Sequence, residues 1–369
     1  MANMRVVSAD SHMMEPAELW VERLDAKYKD RAPKVIKNPN KPGLIFVAEG
    51  IDPFPVAGGF GAGRSGQELK DHLEKGYEAA RPSGWDPAER IKDQDIDGVE
   101  AEVLYTTLGM SLFGLENVEL QQACFRVYND WVAEFCSYNP KRLYGVSLIP
   151  LDDVDAGVKE LERTHKLGLR GAMIWGSPPE DKPYSSPEYD KFWQAASDLE
   201  MPLSLHVITG KSKESKVNFE EISTFYMNLI HEIQRSLTTL IFGGVLERFP
   251  KLKIVSAEND IGWFPHFMYR MDHAYEKFNV MEKNPLPMKP SDYVRRQMWG
   301  TFQDDAVGPA TYKIFGENNY MWASDFPHTD STWPDSRQFI AKDFVGVPEE
   351  VTKKIVFDNA VKVYRMDLD

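Results

Sequence analysis

Four places in the chain set metal-ligating side chains at the ends of short apolar runs. Asp10-Ser11-His12 closes and follows residues 5–10 (RVVSAD). His206 lies in residues 203–207 (LSLHV). Glu258-Asn259-Asp260 follows residues 251–257 (KLKIVSA). Asp325, with Phe326-Pro327-His328 behind it, follows residues 320–324 (YMWAS). Alternate residues of a strand face the same way, so Asp10 and His12 can point together. Carboxylate oxygen and imidazole nitrogen, with no thiolate, suit zinc, iron or manganese. A metal with an open position lowers the pKa of bound water to about 7. Asp10, His12, His206 and Asp325 are therefore candidate ligands. Glu258 is a candidate ligand, general base or partner that orients a ligating histidine. His328 is a candidate proton shuttle or hydrogen-bond donor beside the ligands. Each also has a plainer reading. Asp10 and Asp325 suit turn caps, His206 a hydrogen-bonded core histidine, and His328 a loop. The weight lies in their coincidence at strand ends.

The elements that would position them alternate. Residues 101–106, 142–149, 170–175 and 298–302 complete a set of eight strand candidates. Helical patterns cover 86–95, 118–138, 154–167, 187–199, 221–248, 264–278, 306–315 and 348–364. Near-continuous apolar strands suit a parallel sheet buried on both faces. Eight strands alternating with helices predict an α/β fold, a (β/α)8 TIM barrel. A doubly wound sheet would place a glycine-rich phosphate turn after the first strand, and Asp10-Ser11-His12 is no such turn. In a barrel the C-terminal strand ends ring one opening, which brings the four places together. Residues 1–369 read as a single barrel domain. Residues 17–82 read as an inserted loop region after the first strand, with a flexible GGFGAGRSG stretch (58–66), over the barrel mouth or at a subunit contact.

Composition narrows the partners. The 369 residues carry 43 basic and 57 acidic side chains, a formal charge of −14. No basic cluster is present to bind nucleic acid or an anionic membrane, and no apolar stretch reaches the roughly 20 residues of a membrane span. No signal-peptide core opens the chain. Cys124 and Cys136 make neither a disulfide framework nor a sulfur metal site. A cytoplasmic protein with a small-molecule substrate is expected. Met13, Met14, Trp175, Trp263, Trp322 and Trp333 fall near strand ends, compatible with an aromatic or terpenoid-like ligand as well as with packing. Lys211 and Lys213 are candidates for holding a substrate carboxylate. Glu15 either faces the opening or starts a helix. His231 reads as surface or packing, and His72, His165 and His273 as solvated.

The segments VVSADSHMMEP, FGGVLERFPKLKIV, SAENDIGWFPHFMYRMD and MWASDFPH, in order between residues 5 and 334, resemble the amidohydrolase-related family, the aminocarboxymuconate semialdehyde decarboxylase-like metal-dependent hydrolases. The resemblance implies a (β/α)8 barrel with a divalent metal and a homodimer. It places Asp10 and His12 at the two ligand positions of the opening motif, His206 at the fifth-strand histidine and Asp325 at the final aspartate. Many members carry a catalytic histidine in an Ala-His-Gly-Gly-like turn. Here the turn is Ala257-Glu258-Asn259-Asp260, so Glu258 stands in that place.

Acidic residues at Asp10 and Glu258 favour iron or manganese, or a second metal. Two metals suit hydrolysis by a bridging hydroxide. The expected function is therefore a metal-dependent hydrolase with one or two divalent ions per chain. It would use metal-activated water on an ester, thioester, amide or C–C bond next to a carbonyl. Asp325, Glu258 and His328 are the expected catalytic residues. The alternative is a metal-dependent decarboxylase of an aromatic or unsaturated carboxylic acid. A barrel that binds a ligand without catalysis is the third reading.

Overall fold

The strands that read as apolar on both faces are buried on both faces. In the computed structural model, which describes residues 4–211 and 221–368, eight strands form one sheet. They are β1 (Val7–His12), β5 (Ala101–Tyr105), β6 (Leu143–Leu148), β7 (Gly171–Ile174), β8 (Leu203–His206), β9 (Ile254–Ala257), β10 (Met298–Phe302) and β11 (Tyr320–Trp322). Neighbours in that order pair in parallel. Helices lie between them, giving the expected (β/α)8 barrel. Its helices start where local chemistry allows. Asp86 accepts from the Ala88 and Glu89 amides ahead of helix Pro87–Asp97, and Asn117 accepts from the Leu120 amide ahead of helix Val118–Ser137. These bonds satisfy amides that a helix start leaves unpaired.

Several elements depart from the sequence expectation. The 221–248 helix is two helices, Ile222–Phe242 and Val245–Arg248, parted at Gly243 and Gly244. Gly244 sits at φ 71, a left-handed geometry that ends a helix. Helix 306–315 shrinks to Val307–Ala310 followed by turns. The tail is Glu349–Lys353, a π-helical turn at Lys354–Asp358, then Asn359–Tyr364. His72 is buried rather than solvated. It contacts the Ala57 carbonyl at 3.2 Å and the edge of Phe60.

Residues 17–82 carry secondary structure where a loop was expected. Strands β2 (Lys34–Lys37), β3 (Leu44–Ala48) and β4 (Ile51–Pro55) make an antiparallel sheet, and Gly66–Lys75 is a helix. These strands are short, and β4 contains two prolines, which weakens the strand signal. Phe46 in β3 packs against Trp20 and Phe54. The glycine stretch rests on the loops that follow barrel strands. A Cβ at Gly59 would sit 2.7 Å from Thr107 Cγ2, and one at Gly61 would sit 2.4 Å from Thr329 Oγ1. Close backbone approach is why glycine occupies both positions.

The barrel closes between its last and first strands. The His12 amide donates to the Phe326 carbonyl at 2.7 Å, and the Asp325 amide to the Asp10 carbonyl at 3.0 Å. Arg90 locks this seam from below the surface. It is fully buried, pairs with Glu102 through two bonds (2.6 and 3.1 Å), and donates to the carbonyls of His12 (2.7 Å) and Phe326 (3.1 Å). Gln94 adds a bond to Glu102. Removing one partner of such a buried pair leaves an uncompensated charge. Arg90→Ala is expected to lower unfolding stability by about 3–5 kcal/mol, measured by denaturant titration; a loss below about 1 kcal/mol would show that the clamp is dispensable.

Candidate metal centre

Strand ends set the positions of the candidate ligands, and irregular backbone aims them. In β1 the register with β5 slips between Ser8 and Ser11, a bulge that redirects side chains. Glu258 and Asp325, just past β9 and β11, take φ values of 55° and 56°. Non-glycine residues rarely adopt that region, and such strain gathers at functional sites. Asp305 holds the turn after Glu258 by accepting from the Ile261 and Gly262 amides.

The structure brings all five expected ligands into one buried cluster around His12. His12 Nε2 lies 3.5 Å from Asp10 Oδ1, 3.2 Å from Glu258 Oε2 and 3.4 Å from Asp325 Oδ1. His206 Nε2 lies 3.2 Å from Glu258 Oε2 and 3.9 Å from Asp10 Oδ1. These five atoms are buried, and four of them, on Asp10, His12, His206 and Glu258, have no hydrogen-bond partner among the described residues, while Asp325 Oδ1 faces His328 Nδ1 at 3.0 Å. Buried polar atoms are ordinarily satisfied, so four orphans facing one another call for a shared partner. Donors bound at about 2.1 Å to one cation sit about 3 Å apart when adjacent and about 4 Å apart when opposed. The donors that lie within 4.8 Å of one another form two groups that share His12, one of Asp10, His12 and His206 and one of His12, Glu258, Asp325 and His328.

The imidazoles are turned for this role. His12 Nδ1 lies 2.7 Å from the Thr106 carbonyl and His206 Nδ1 lies 3.1 Å from the Val207 carbonyl. A carbonyl only accepts, so each Nδ1 carries the proton. In the neutral ring Nε2 then keeps a lone pair directed at the centre. Thr301 in β10 donates to Asp10 Oδ2 at 2.7 Å and accepts from the Glu258 amide at 2.8 Å. That leaves Asp10 Oδ1 for the centre.

His328 joins from the side. It stacks on His12 at 3.9 Å, with Nδ1 3.0 Å from Asp325 Oδ1 and Nε2 3.0 Å from Thr107 Oγ1. The Thr107 hydroxyl donates to the Met13 carbonyl, so it must accept from His328 Nε2–H. The remaining nitrogen shares a proton with Asp325. Glu258, its side chain 20% exposed, and His328 at 13% mark the open side; Asp10, His12, His206 and Asp325 are sealed.

Crowded acids and burial set the protonation. Burial lifts Asp10 to about 7, helped by Glu258 and Asp325 against His206. Burial likewise lifts Asp325 to about 7, against the pull of His328. Burial, then His328, pushes His12 down to about 3. For His206 burial opposes the charge, but the Glu258 carboxylate outweighs it and raises the ring to about 9. Glu258, despite burial, is held well below its ordinary range by His12 and His206.

The other sequence candidates lie elsewhere. Glu15 is buried as a structural anchor, accepting from the Thr106 hydroxyl and the Leu108 and Gly109 amides. Met13, Met14, Trp175 and Trp322 are core residues, while Trp263 and Trp333 are half-buried. Lys211 pairs with Asp152 at 3.5 Å and lies over the Trp175 ring. Lys213 lies outside the described residues. His231 is on a helix with Gln234 as its neighbour. The sequence reading missed Thr301, Thr107 and Arg90. Thr301 stands near the end of a strand candidate, where the strand-end filter could have found it. Arg90 sits in a charged helix (PAERIKDQD) that gives no sign of burial.

A family model described as Amidohydrolase matches residues 38–366. A 2-amino-3-carboxymuconate-6-semialdehyde decarboxylase of Dictyostelium discoideum is 26% identical over 253 residues, 66% of this chain and 67% of that protein. An amidohydrolase from Mycobacterium avium subsp. paratuberculosis K-10 superimposes with a TM-score of 0.77 at 21% identity, covering 98% of each chain. A dihydroxybenzoic acid decarboxylase from Polaromonas sp. JS666, solved with manganese and the inhibitor 2-nitroresorcinol, gives a TM-score of 0.66 at 17% identity, covering 99% of this chain and 98% of that one.

Protons on His206, Asp10 and Asp325 compete with a cation for the same atoms. The apparent affinity for Mn²⁺ is therefore expected to fall as pH drops from about 8 to about 6, with protons released on binding. Isothermal titration of chelator-treated protein in buffers of different ionisation enthalpy reads both. A folded His206→Ala variant is expected to lose bound metal in elemental analysis, and undiminished metal would remove His206 from the ligand set.

Proposed function

The chain belongs to the amidohydrolase family, and from that membership we propose that it is a metal-dependent decarboxylase of an aromatic or unsaturated carboxylic acid. The observation that carries the reading is the gathering of donor atoms from Asp10, His12, His206 and Glu258, none with a hydrogen-bond partner among the described residues, beside an Asp325 that shares a proton with His328. The five residues would hold one or two divalent cations. Their oxygen and nitrogen donors suit manganese, zinc or iron, and manganese accompanies the related Polaromonas enzyme. A bound cation supplies Lewis-acid polarisation of substrate oxygens.

The residues around it favour giving a proton over taking one. Decarboxylation breaks the bond from carbon to carboxylate, releases carbon dioxide and leaves an electron pair on carbon that needs a proton. The Asp325–His328 pair holds that proton at the open side of the centre. Hydrolysis instead needs a base to draw a proton from water. Here Asp10 and Glu258 direct their free oxygens at the cation position, and both nitrogens of His328 are engaged. The two donor groups share His12, so the reading rests on the proton-holding pair rather than on the number of cations. The decarboxylase relative in Dictyostelium points the same way.

Hydrolysis by metal-activated water is the second reading, supported at the level of the family's description. A cytoplasmic setting agrees with two free, buried cysteines and with the lack, among the described residues, of a helix long and apolar enough to cross a membrane. A homodimer belongs to the same reading, and a solution mass tests it.

Mn²⁺-loaded protein is expected to release carbon dioxide from a hydroxylated aromatic or unsaturated carboxylic acid, with deuterium from D₂O on the carbon that lost it. A product labelled with ¹⁸O from water, with no carbon dioxide, would overturn decarboxylation. His328→Gln is expected to lower kcat by about 10²–10⁴-fold while metal content holds, checked by parallel turnover and elemental analysis.

A further inference from the structure

Thr301 is the point where two ligand-bearing segments meet, one 291 and the other 43 residues away in sequence. It is fully buried near the end of β10. Its hydroxyl donates to Asp10 Oδ2 at 2.7 Å and accepts from the Glu258 backbone amide at 2.8 Å. One hydroxyl has one proton to give and lone pairs to receive, so the two bonds are compatible and have a defined direction. The first bond takes one oxygen of Asp10 out of the centre and leaves Oδ1 facing it. The second pins the residue whose backbone is held at φ 55°, from which the Glu258 side chain starts toward His12 and His206. Valine is close to threonine in shape but has a methyl in place of the hydroxyl. It would leave a buried carboxylate oxygen and a part-buried amide without their partner, and such groups are costly to strand.

We infer that Thr301 is a positioning residue of the metal centre: its hydroxyl makes Asp10 a one-oxygen ligand and fixes where Glu258 enters the shell. The inference rests on the proposed metal centre. Thr301 reaches no cation itself, and it acts through Asp10 and Glu258. Partners of this kind govern metal affinity by orienting the ligands.

The test compares wild type, Thr301→Val and Thr301→Ser as full-length, chelator-treated proteins. Each is titrated with Mn²⁺ by calorimetry and melted with and without the ion. Thr301→Val is expected to weaken Mn²⁺ binding by about 10–100-fold, and Thr301→Ser, which keeps the hydroxyl, to restore it to within about threefold of wild type. The stabilisation of melting by Mn²⁺ should shrink in Thr301→Val and return in Thr301→Ser. A purely structural threonine would lower the melting temperature of the chelator-treated protein and leave the Mn²⁺ affinity unchanged; that result overturns the inference. Equal losses in the valine and serine variants overturn it as well. Should Thr301→Val not accumulate as folded protein, Thr301→Ala is read in its place by the same two criteria. Failure of wild type to bind Mn²⁺, Zn²⁺ or Fe²⁺ would reject the metal centre itself, which is distinct from Mn²⁺ binding that ignores Thr301.

Discussion

The barrel closes through the residues that build the site. Backbone bonds from His12 to Phe326 and from Asp325 to Asp10 stitch the first strand to the turn after the last. The side chains on this seam are three of the five convergent donors. Closure of the sheet and assembly of the centre are thus one event. Arg90 shows the dependence most directly, since its buried guanidinium holds the carbonyls of His12 and Phe326 together and is itself held by Glu102. A seam that opened by an ångström would part Asp10 and His12 from Asp325.

The centre gathers three carboxylates within a largely sealed space, an arrangement that like-charge repulsion and desolvation oppose. Raised proton affinity at Asp10 and Asp325 is the direct expression of that cost. A divalent cation reverses the sign of the problem, because the acids become its counter-charges. The surrounding hydrogen bonds act on orientation. Thr106 and Val207 carbonyls turn the imidazoles, Thr301 turns Asp10, and Asp305 fixes the chain after Glu258. The overall charge of −14 therefore says little about substrate charge, since a bound cation rather than a basic surface would receive an anionic group.

The choice between the two chemistries turns on the direction in which a proton moves. Acidic residues at Asp10 and Glu258 first suggested extra negative charge for a second metal. Geometry gives them another use, since each presents an unpartnered oxygen to His12 Nε2, at 3.5 and 3.2 Å. His328 is similarly committed, with one nitrogen on Thr107 and the other on Asp325. Glu258 and His328 are the exposed members of the cluster, so the centre opens on their side.

Much of this protein was legible in one dimension. Burial on both faces leaves an unbroken apolar run in each barrel strand, and the run ends where the chain leaves the core, so residue order alone places Asp10, His12, His206, Glu258 and Asp325 at strand ends. Their chemistry follows from residue type. The three short strands within residues 17–82 were not legible, because prolines and partial exposure dilute the two-residue period. Arg90 was not legible either, because a charged residue in a polar helix carries no mark of whether tertiary contacts will bury it. Convergence on a single point, the bonds that Thr301 makes to segments 291 and 43 residues away, and the commitment of both His328 nitrogens were decided only by the tertiary structure. Those features are distances between atoms far apart in sequence, and a strand pattern fixes where a side chain begins but not what it meets.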